Sequence, residues 1–404
     1  MRALRIAISA LLVSVSACVP FGNVGREEPA AEDRLVLAVS GFDRLSDWPG
    51  QSPQFAFQAF QRSCATLSSR RATDAFGGDA VYGTVGDWKP ACQTAMQISA
   101  NDKVTAQHFF ETWFVPAQVR NQSEPSGLFT GYYEPELDGS RKASRRFRVP
   151  LYARPADLVQ VDLGAFRPAL KGERIAGRVS DGKLVPYATR AQIVDGTLGP
   201  KGQPIVYVDD AVAAFFLQIQ GSGRIKLDNG ETIRAAFDGQ NGFPYTAIGR
   251  TLVSRGEIPR ENLSMQSIRT WLQTNPTKAD ALMNENASYV FFKEQPIADA
   301  SLGASGAQGV PLTAEASLAV DMKFHALGAP LWIEAKSPAE DANEEDAQLR
   351  KLVIAQDTGG AIRGPVRGDI YWGVGSKAEN IAGRMAHKGT MFVLLPKVLA
   401  QHLN

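Results

Sequence analysis

The 404-residue sequence has few histidines and almost no net charge. Its four histidines stand far apart without ligand spacing, and no Cys-x-x-Cys motif occurs, so we expect no metal site. Lysine plus arginine total 43, against 42 for aspartate plus glutamate. This balance lacks the excess positive charge typical of nucleic-acid-binding domains, and we expect no nucleic-acid partner. The glycine-rich stretch at 373–378 leaves no room downstream for a βαβ unit, so we expect no cofactor.

The apolar stretch near the N terminus is too short to span a bilayer as a stop-transfer helix. Arginines precede it and small residues follow it, which is the pattern of a secretory signal. The residues "VSAC" resemble a bacterial lipoprotein signal, in which the cysteine is lipidated and becomes the new N terminus. We predict a signal peptide over 1–17, lipidation of Cys18 and a flexible tether over 18–34. The alternative is ordinary cleavage near Ala17.

Only two cysteines remain after the signal, Cys64 and Cys92. An even pair in an oxidising compartment favours a disulfide, and two free buried thiols are the alternative. A bridge across this span stabilises by roughly 3 kcal/mol in the chain-entropy model.

Apolar content of 44% and charged content of 21% are typical of a globular protein with room for two domains. Helical spacing marks the chain to about residue 118. Short alternating runs between turns mark the segment to about 237, among them "AFFLQIQGSGRIKLDNGETIRAAF", and we predict strands there that form a small β-barrel or sandwich. Asn-Gly within "LDNGET" predicts a hairpin there. Helices and then strands follow. We predict a discontinuous domain over 35–130 and 240–404 with an inserted β-barrel domain over 131–239, and a ligand cleft between them.

Two aspartates near the C terminus stand out in "AQDTGGAIRGPVRGDIYWG". Asp357 precedes a glycine pair and Asp369 follows a glycine, so taken singly each is explained as a turn or strand-start aspartate. A third aspartate, Asp321 in "SLAVD", makes a shared site the better interpretation. Asp-Thr-Gly is also the signature of aspartic peptidases, which need two such aspartates. With a single Asp-Thr-Gly, a peptidase would have to be a homodimer.

Several segments resemble one family of bacterial cell-wall enzymes in the right order. "SLAVD", "VIAQDTGGAIRGPVRGDIYWG" and "KGTMFVLLP" resemble the three-aspartate (3D) domain, over about 312–396. "LFTGYYEPEL", "PLYARP", "FFLQIQGSGRIKLDNG", "NGFPYTAIGRTLVSRGEI", "SMQSIRTWL" and "NASYVFF" resemble the other segments of the membrane-bound lytic murein transglycosylase A family. One departure is "DMKFHALGAPLWI", where the 3D pattern usually has a Pro-x-Gly-Thr turn.

The resemblance implies a mainly β fold with helices: a double-psi β-barrel domain carrying an inserted second β-barrel domain, with a groove between them. It implies non-hydrolytic cleavage of the β-1,4 bond between N-acetylmuramic acid and N-acetylglucosamine in peptidoglycan. The muramic C6 hydroxyl attacks C1 and gives a 1,6-anhydro product. The expected partner is the peptidoglycan glycan strand.

The resemblance gives Asp369 the role of general acid and then general base, with Asp357 and Asp321 in support. For this role the pKa of Asp369 should be raised by burial and by the charge of a nearby Asp357, which we expect to stay ionised. Glycan binding needs aromatic faces and planar amides. We assign to it a set of polar and aromatic side chains near the domain junction: Thr130, Tyr132, Tyr133, Gln218, Gln220 and Ser222.

The leading hypothesis is therefore a monomeric lytic transglycosylase, a lyase, anchored by lipid to the periplasmic side of the outer membrane. Val19, rather than aspartate, after the lipidated cysteine is consistent with outer-membrane sorting. The alternative from another class is a non-catalytic peptidoglycan-binding lipoprotein on the same scaffold. The dimeric aspartic peptidase is a third hypothesis.

Overall fold

The computed structural model describes residues 32–99, 101–170, 173–341 and 343–403. The predicted signal peptide, Cys18 and most of the predicted tether lie outside these residues. Within the described part, no helix has the length and apolar character needed to cross a membrane.

Elements are numbered along the chain. The α-helices are α1 (Pro53–Leu67), α2 (Val85–Ala95), α3 (Lys103–Trp113), α4 (Arg190–Val194), α5 (Ala211–Gln220), α6 (Ile248–Ser254), α7 (Met265–Thr274), α8 (Pro276–Asn284), α9 (Gly375–Ala382) and α10 (Lys397–Ala400). The strands are β1 (Leu35–Val39), β2 (Phe114–Asn121), β3 (Gly127–Glu134), β4 (Glu136–Ser140), β5 (Val149–Tyr152), β6 (Val159–Asp162), β7 (Arg174–Ser180), β8 (Lys183–Pro186), β9 (Pro204–Val208), β10 (Gly223–Leu227), β11 (Thr232–Gln240), β12 (Val290–Gln295), β13 (Leu302–Ser305), β14 (Pro311–Thr313), β15 (Ser317–Val320), β16 (Pro330–Ser337), β17 (Ala347–Asp357), β18 (Arg367–Val374) and β19 (Ala386–Pro396).

Six strands close into a barrel in the order β19-β16-β17-β15-β18-β3, because β3 pairs with both β18 and β19. Strand β19 extends beyond this ring, so that its second half pairs with β2, and β2 in turn pairs with β1. Alternate side chains of the barrel strands enter one core. It contains Phe129 and Tyr133 of β3 and Ile370 and Trp372 of β18. The intervening residues of the same strands point the other way.

The N-terminal helices pack on this barrel and share its core. Helix α1 buries Phe57 and Phe60 against Phe109 and Phe110 of α3, with edge-on and tilted ring contacts. A disulfide between Cys64 of α1 and Cys92 of α2 joins two helices of this layer. Large aromatic side chains therefore account for much of the apolar area buried in this layer.

A second six-stranded sheet has the order β12-β11-β10-β4-β9-β5. Its end strands β5 and β12 come into contact without pairing, so this sheet is nearly closed. Strands β10 and β11 form the hairpin predicted from Asn-Gly, with Lys226 opposite Thr232 and a positive φ of 89° at Gly230. The smaller sheet β6-β7-β8 lies within the same sequence segment.

Two predictions about the second domain were wrong in detail. Its sheet does not end near residue 239, because β12 pairs with β11. The intervening helices α6 to α8 pack with α5 in one apolar cluster, so this part of the chain is not a return to the first domain. The run "AFFLQIQ" is helical rather than extended: Asp210 caps α5 by accepting from two backbone N–H groups, and Gly221 ends it with a φ of 85°. A short apolar run fits a buried strand or a buried helix equally well.

Candidate active site

The outward face of the first barrel brings the predicted aspartates together. Asp369 of β18 lies opposite Thr130 of β3 on one side and opposite Ala319 of β15 on the other. Ala319 is in turn opposite Asp357 of β17. Residues in register across a sheet point to the same face, so the two carboxyl groups share one side of the barrel. Their Cα atoms are two strand spacings apart, about 9.5 Å.

A β-bulge gives Asp357 this orientation. The register of β15 against β17 moves from Leu318↔Ala355 to Ala319↔Asp357, so that Gln356 is the extra residue. Gln356 is fully buried and donates to the carbonyl of Ala59 at 2.8 Å. Without the extra residue, the alternation of the strand would turn Asp357 toward the core.

Asp369 has one side-chain donor, the hydroxyl of Thr130, which is 2.6 Å from its Oδ1. Burial raises the pKa of this carboxyl to about 6, and the charge of Asp357 adds to the shift. The Arg367 guanidinium and the Thr130 hydroxyl act against burial, because both favour the ionised form. A carboxyl with a pKa in this range exists in both protonation states near neutral pH, as proton transfer in both directions requires.

Asp357 has a fuller set of donors. Its Oδ1 accepts from the backbone N–H groups of Ala307 and Thr358, both at 2.9 Å, and its Oδ2 accepts from the hydroxyl of Tyr132 at 2.9 Å. Burial raises the pKa of Asp357, and these three hydrogen bonds oppose the rise. The donors therefore support an ionised Asp357, the state expected from the sequence.

Asp321 occupies a different place, directly after β15. Its carboxylate accepts from the backbone N–H groups of Lys323 at 3.0 Å and Gly364 at 2.9 Å. The guanidinium of Arg363 is 3.9 Å away. Asp321 thus joins the turn after β15 to the loop before β18, and these contacts indicate a structural role. A direct role in support of the other two aspartates stays a prediction.

The predicted glycan-binding residues separate into two groups. Thr130 and Tyr132 lie on the outward face of β3 and bond to the two aspartates. Tyr133 points into the core, where its backbone N–H donates to Gln220 at 3.1 Å.

Gln218 is buried in α5, and Ser222 is half-buried in the turn that follows. The structure brings none of Tyr133, Gln218, Gln220 and Ser222 into contact with Asp369 among the hydrogen bonds of the described residues. Their role in binding stays a prediction.

Two features of the site escaped the sequence analysis. Tyr371 lies two residues beyond Asp369 on the same face, with its ring 5.3 Å from that of Tyr132. Its hydroxyl is buried and has no hydrogen-bond partner within the described residues. Arg367, two residues before Asp369, donates to Thr130 Oγ1 at 2.8 Å. The period-2 alternation of a strand was the available signal for both, since residues 367, 369 and 371 share a face.

A buried ion-pair cluster at the domain junction was also missed. Glu134, at the end of β3, is fully buried and contacts the guanidinium groups of Arg224 and Arg234 from the second sheet. Arg224 and Arg234 also donate to the carbonyl of Leu302. The cluster connects the active-site strand to the second domain. No sequence spacing indicated it, because Glu134 lies 90 residues before Arg224 and 100 residues before Arg234. In the described ranges, no group of histidine, cysteine, aspartate or glutamate side chains is arranged to hold a metal ion.

Comparison with known proteins gives two family matches along the chain. Residues 128–293 match the MltA specific insert domain, and residues 316–395 match the 3D domain. Membrane-bound lytic murein transglycosylase A of Escherichia coli (strain K12) is 32% identical over 317 residues, which are 78% of this chain and 77% of that protein. The chain belongs to the membrane-bound lytic murein transglycosylase A family. A relative of the same name from Vibrio cholerae is 30% identical over 66% of this chain and 65% of its own length.

Solved structures of the family agree with the fold. A membrane-bound lytic murein transglycosylase from Agrobacterium tumefaciens superposes with a TM-score of 0.79 at 30% identity, covering 91% of this chain and 99% of that chain. E. coli MltA with bound chitohexaose gives a TM-score of 0.66 at 27% identity, covering 89% and 94%. The predicted architecture of two β-barrel domains is confirmed.

Proposed function

We propose that this protein is a peptidoglycan lytic transglycosylase, a lyase that cleaves the β-1,4 bond between N-acetylmuramic acid and N-acetylglucosamine without water. The single observation that carries the proposal is Asp369, a carboxyl whose pKa is raised to about 6 on the outward face of the first barrel, in register with Thr130. Its family relatives are named murein transglycosylases, which supports the same conclusion.

In the first step, protonated Asp369 gives its proton to the glycosidic oxygen. The bond between C1 of the muramic residue and that oxygen breaks, and positive charge develops at C1. In the second step, the C6 hydroxyl of the same muramic residue attacks C1 and passes its proton to the Asp369 carboxylate. The products are a 1,6-anhydromuramic end and a free 4-hydroxyl, and Asp369 is protonated again.

One carboxyl is sufficient because the nucleophile belongs to the substrate. Ordinary glycosidases need a second carboxylate to activate water or to attack C1. An intramolecular hydroxyl has a high effective molarity, so it does not need a strong separate base. Asp357 has a different task in this proposal: its ionised carboxylate, held by Tyr132 and two backbone N–H groups, stabilises the positive charge at C1.

The aspartic peptidase hypothesis is disfavoured by the same geometry. A peptidase dyad shares one proton between two adjacent carboxyl groups. Here Ala319 on β15 separates Asp357 from Asp369, and each carboxylate has its own donors. The alternative of a non-catalytic glycan-binding lipoprotein gives no reason for a carboxyl with a pKa near 6 at this position.

The expected partner is a peptidoglycan glycan strand. A solved relative, E. coli MltA, holds chitohexaose, which is a chain of β-1,4-linked amino sugars. The relatives are named membrane-bound. We propose attachment through a lipid on Cys18, action as a monomer and a location on the periplasmic side of the outer membrane.

Digestion of purified peptidoglycan followed by mass spectrometry tests the function. The wild-type protein should release anhydro-muropeptides, and Asp369→Asn should release none. New reducing ends would mean hydrolysis instead. If no products form and the protein still sediments together with insoluble peptidoglycan, the result would favour the hypothesis of a non-catalytic binding protein.

A further inference from the structure

Arg367 has a fixed position beside Asp369. Its guanidinium donates to the backbone carbonyls of Leu128 on β3 and Gly368 on β18, and to Thr130 Oγ1 at 2.8 Å. Arg367 and Leu128 are opposite each other in the parallel pairing of β18 with β3, one pleat away from the Asp369–Thr130 pair. The guanidinium is therefore attached to both strands, and a planar group with several donors suits this arrangement better than an ammonium would.

The contact with Arg367 decides which way the Thr130 hydroxyl points. A guanidinium has donors and no acceptor, whereas a hydroxyl has one proton and two lone pairs. Thr130 Oγ1 must therefore accept from Arg367. Its single proton is then free for Asp369 Oδ1, which lies 2.6 Å away. The hydroxyl acts as a donor to the carboxyl, and that donor is already in use before any sugar binds.

We propose that Arg367 is a positioning residue which, through Thr130, reserves Oδ1 of Asp369 as an acceptor and leaves Oδ2 as the oxygen that carries the proton to the glycosidic bond. This inference rests on the proposed function and adds to it the atom that does the chemistry. A proton on Oδ1 would require the Thr130 hydroxyl to turn its own proton away from Asp369 and lose that hydrogen bond, which is unfavourable. Oδ2 has no such neighbour among the hydrogen bonds of the described residues.

The same two groups also adjust how strongly Asp369 holds its proton. Burial raises the pKa of Asp369, and Arg367 and Thr130 are the two influences that lower it. Removing either should raise the pKa above about 6. A more tightly held proton makes a weaker acid, and a hydroxyl without orientation leaves the proton on either oxygen. Both effects slow the first step.

Thr130 has a different role in this arrangement from the one predicted from the sequence, which was to bind glycan. The structure uses its donor for Asp369 and one of its lone pairs for Arg367. A substrate acceptor at Thr130 would have to displace the contact with Asp369, whereas a substrate donor could use the remaining lone pair.

Four single variants of the full-length protein test the inference. Thr130→Val keeps the shape of the side chain and removes the hydroxyl, and Arg367→Met keeps much of the length and removes the guanidinium. Thr130→Ser keeps the hydroxyl. Arg363→Met removes a positive charge from an exposed arginine that faces Asp321 instead, and serves as the matched control.

The first readout does not require turnover. The carbonyl stretch of protonated Asp369, identified by its absence in Asp369→Asn, is followed by infrared difference spectroscopy against pH. We expect its midpoint to rise by about one pH unit in Thr130→Val and Arg367→Met, and to stay near the wild-type midpoint in Thr130→Ser and Arg363→Met. An unchanged midpoint in Thr130→Val would overturn the inference, whether or not the protein releases anhydro products.

The second readout is kcat on peptidoglycan. Loss of one hydrogen bond to a charged group corresponds to a decrease of about 10- to 100-fold, which we expect for Thr130→Val. Thr130→Ser should recover most of that loss. The double variant Thr130→Val/Arg367→Met should lose less than the product of the two single losses, because part of the effect of Arg367 passes through Thr130 while its charge also acts on Asp369 directly. Losses that add in full would contradict an effect of Arg367 through Thr130. A wild-type protein that releases no anhydro products would instead contradict the proposed function.

Discussion

Asp369 and Asp321 are carboxyl groups on the same barrel, and their surroundings give them opposite properties. Asp321 accepts from two backbone N–H groups and has a guanidinium 3.9 Å away. Asp369 accepts from one hydroxyl and lies beside Asp357 and Arg367. The first carboxylate is stabilised by fixed dipoles and holds a loop. Within the described residues, no hydrogen bond reaches Oδ2 of the second. Burial alone therefore does not give a carboxyl the surroundings that we propose for a general acid. Burial with incomplete hydrogen bonding does.

The largest expected effect comes from Asp369→Asn. Removal of a general acid–base group lowers rates by about 10²- to 10⁴-fold. We expect release of anhydro-muropeptides to fall below a few per cent of wild type, with an unchanged circular dichroism spectrum. The matched control is Asp43→Asn, because Asp43 is an exposed aspartate distant in sequence from the site. Retention of more than a few per cent of activity would remove Asp369 from its role.

Asp357→Asn should also lose activity, but less completely. The amide keeps an acceptor for Ala307 and Thr358 and loses the negative charge that stabilises C1. We expect a decrease of about tenfold or more in kcat, since electrostatic stabilisation by one group is worth up to 10²–10³. Equal losses in Asp357→Asn and Asp369→Asn, measured in parallel digests, would mean that the two roles are not separable in this way.

The pH dependence of stability reports the raised pKa of Asp369 in the folded protein. The pKa of Asp369 is raised from 3.8 to about 6, so the native state binds more protons than the unfolded state between these values. Its contribution to stability is complete below pH 4 and is lost as pH rises through 6.

In Asp369→Asn the side chain at position 369 is uncharged at every pH, so the variant does not lose this contribution as the pH rises. It should be more stable than wild type above pH 6, by up to about 3 kcal/mol, with no difference near pH 3.5. Urea unfolding of both proteins at pH 3.5 and at pH 7.5 measures this difference in unfolding free energy. A variant less stable than wild type at pH 7.5 would contradict the account.

The smallest effect on rate is expected for Asp321→Ala. Two backbone N–H groups lose their acceptor, which costs about 1–3 kcal/mol of unfolding free energy. The fraction that remains folded at low temperature should keep a kcat within about threefold of wild type. Thermal unfolding and product release on the same sample separate the two quantities. A loss of kcat comparable to that of Asp357→Asn would place Asp321 in the chemistry.

The sequence was sufficient for features that depend on local pattern. Asn-Gly predicted the hairpin of β10 and β11, and two cysteines after a predicted secretory signal indicated the pair that the structure joins. The interpretation of Asp357 and Asp369 as parts of one site agrees with their shared face on the barrel, and the catalytic role of Asp369 stays a prediction. The ordered segments also gave the family and the architecture of two barrels.

Features that depend on long-range packing were not predictable in the same way. The run "AFFLQIQ" carries no period that separates a buried helix from a strand, so α5 was assigned wrongly. The boundary at 239 failed because β12, 50 residues further on, pairs with β11. The bulge at Gln356 and the contact between Arg367 and Thr130 arise from strand register, which the spacing of residues in one strand does not reveal.

The central claim is that Asp369 must carry a proton when the glycan binds. The pH profile of kcat/KM for the wild-type protein on peptidoglycan tests it most directly, because that ratio reports the ionisation of the free enzyme. We predict that kcat/KM falls about tenfold per pH unit above a midpoint near pH 6, the pKa of Asp369. A kcat/KM that stays constant up to pH 8 would contradict the claim.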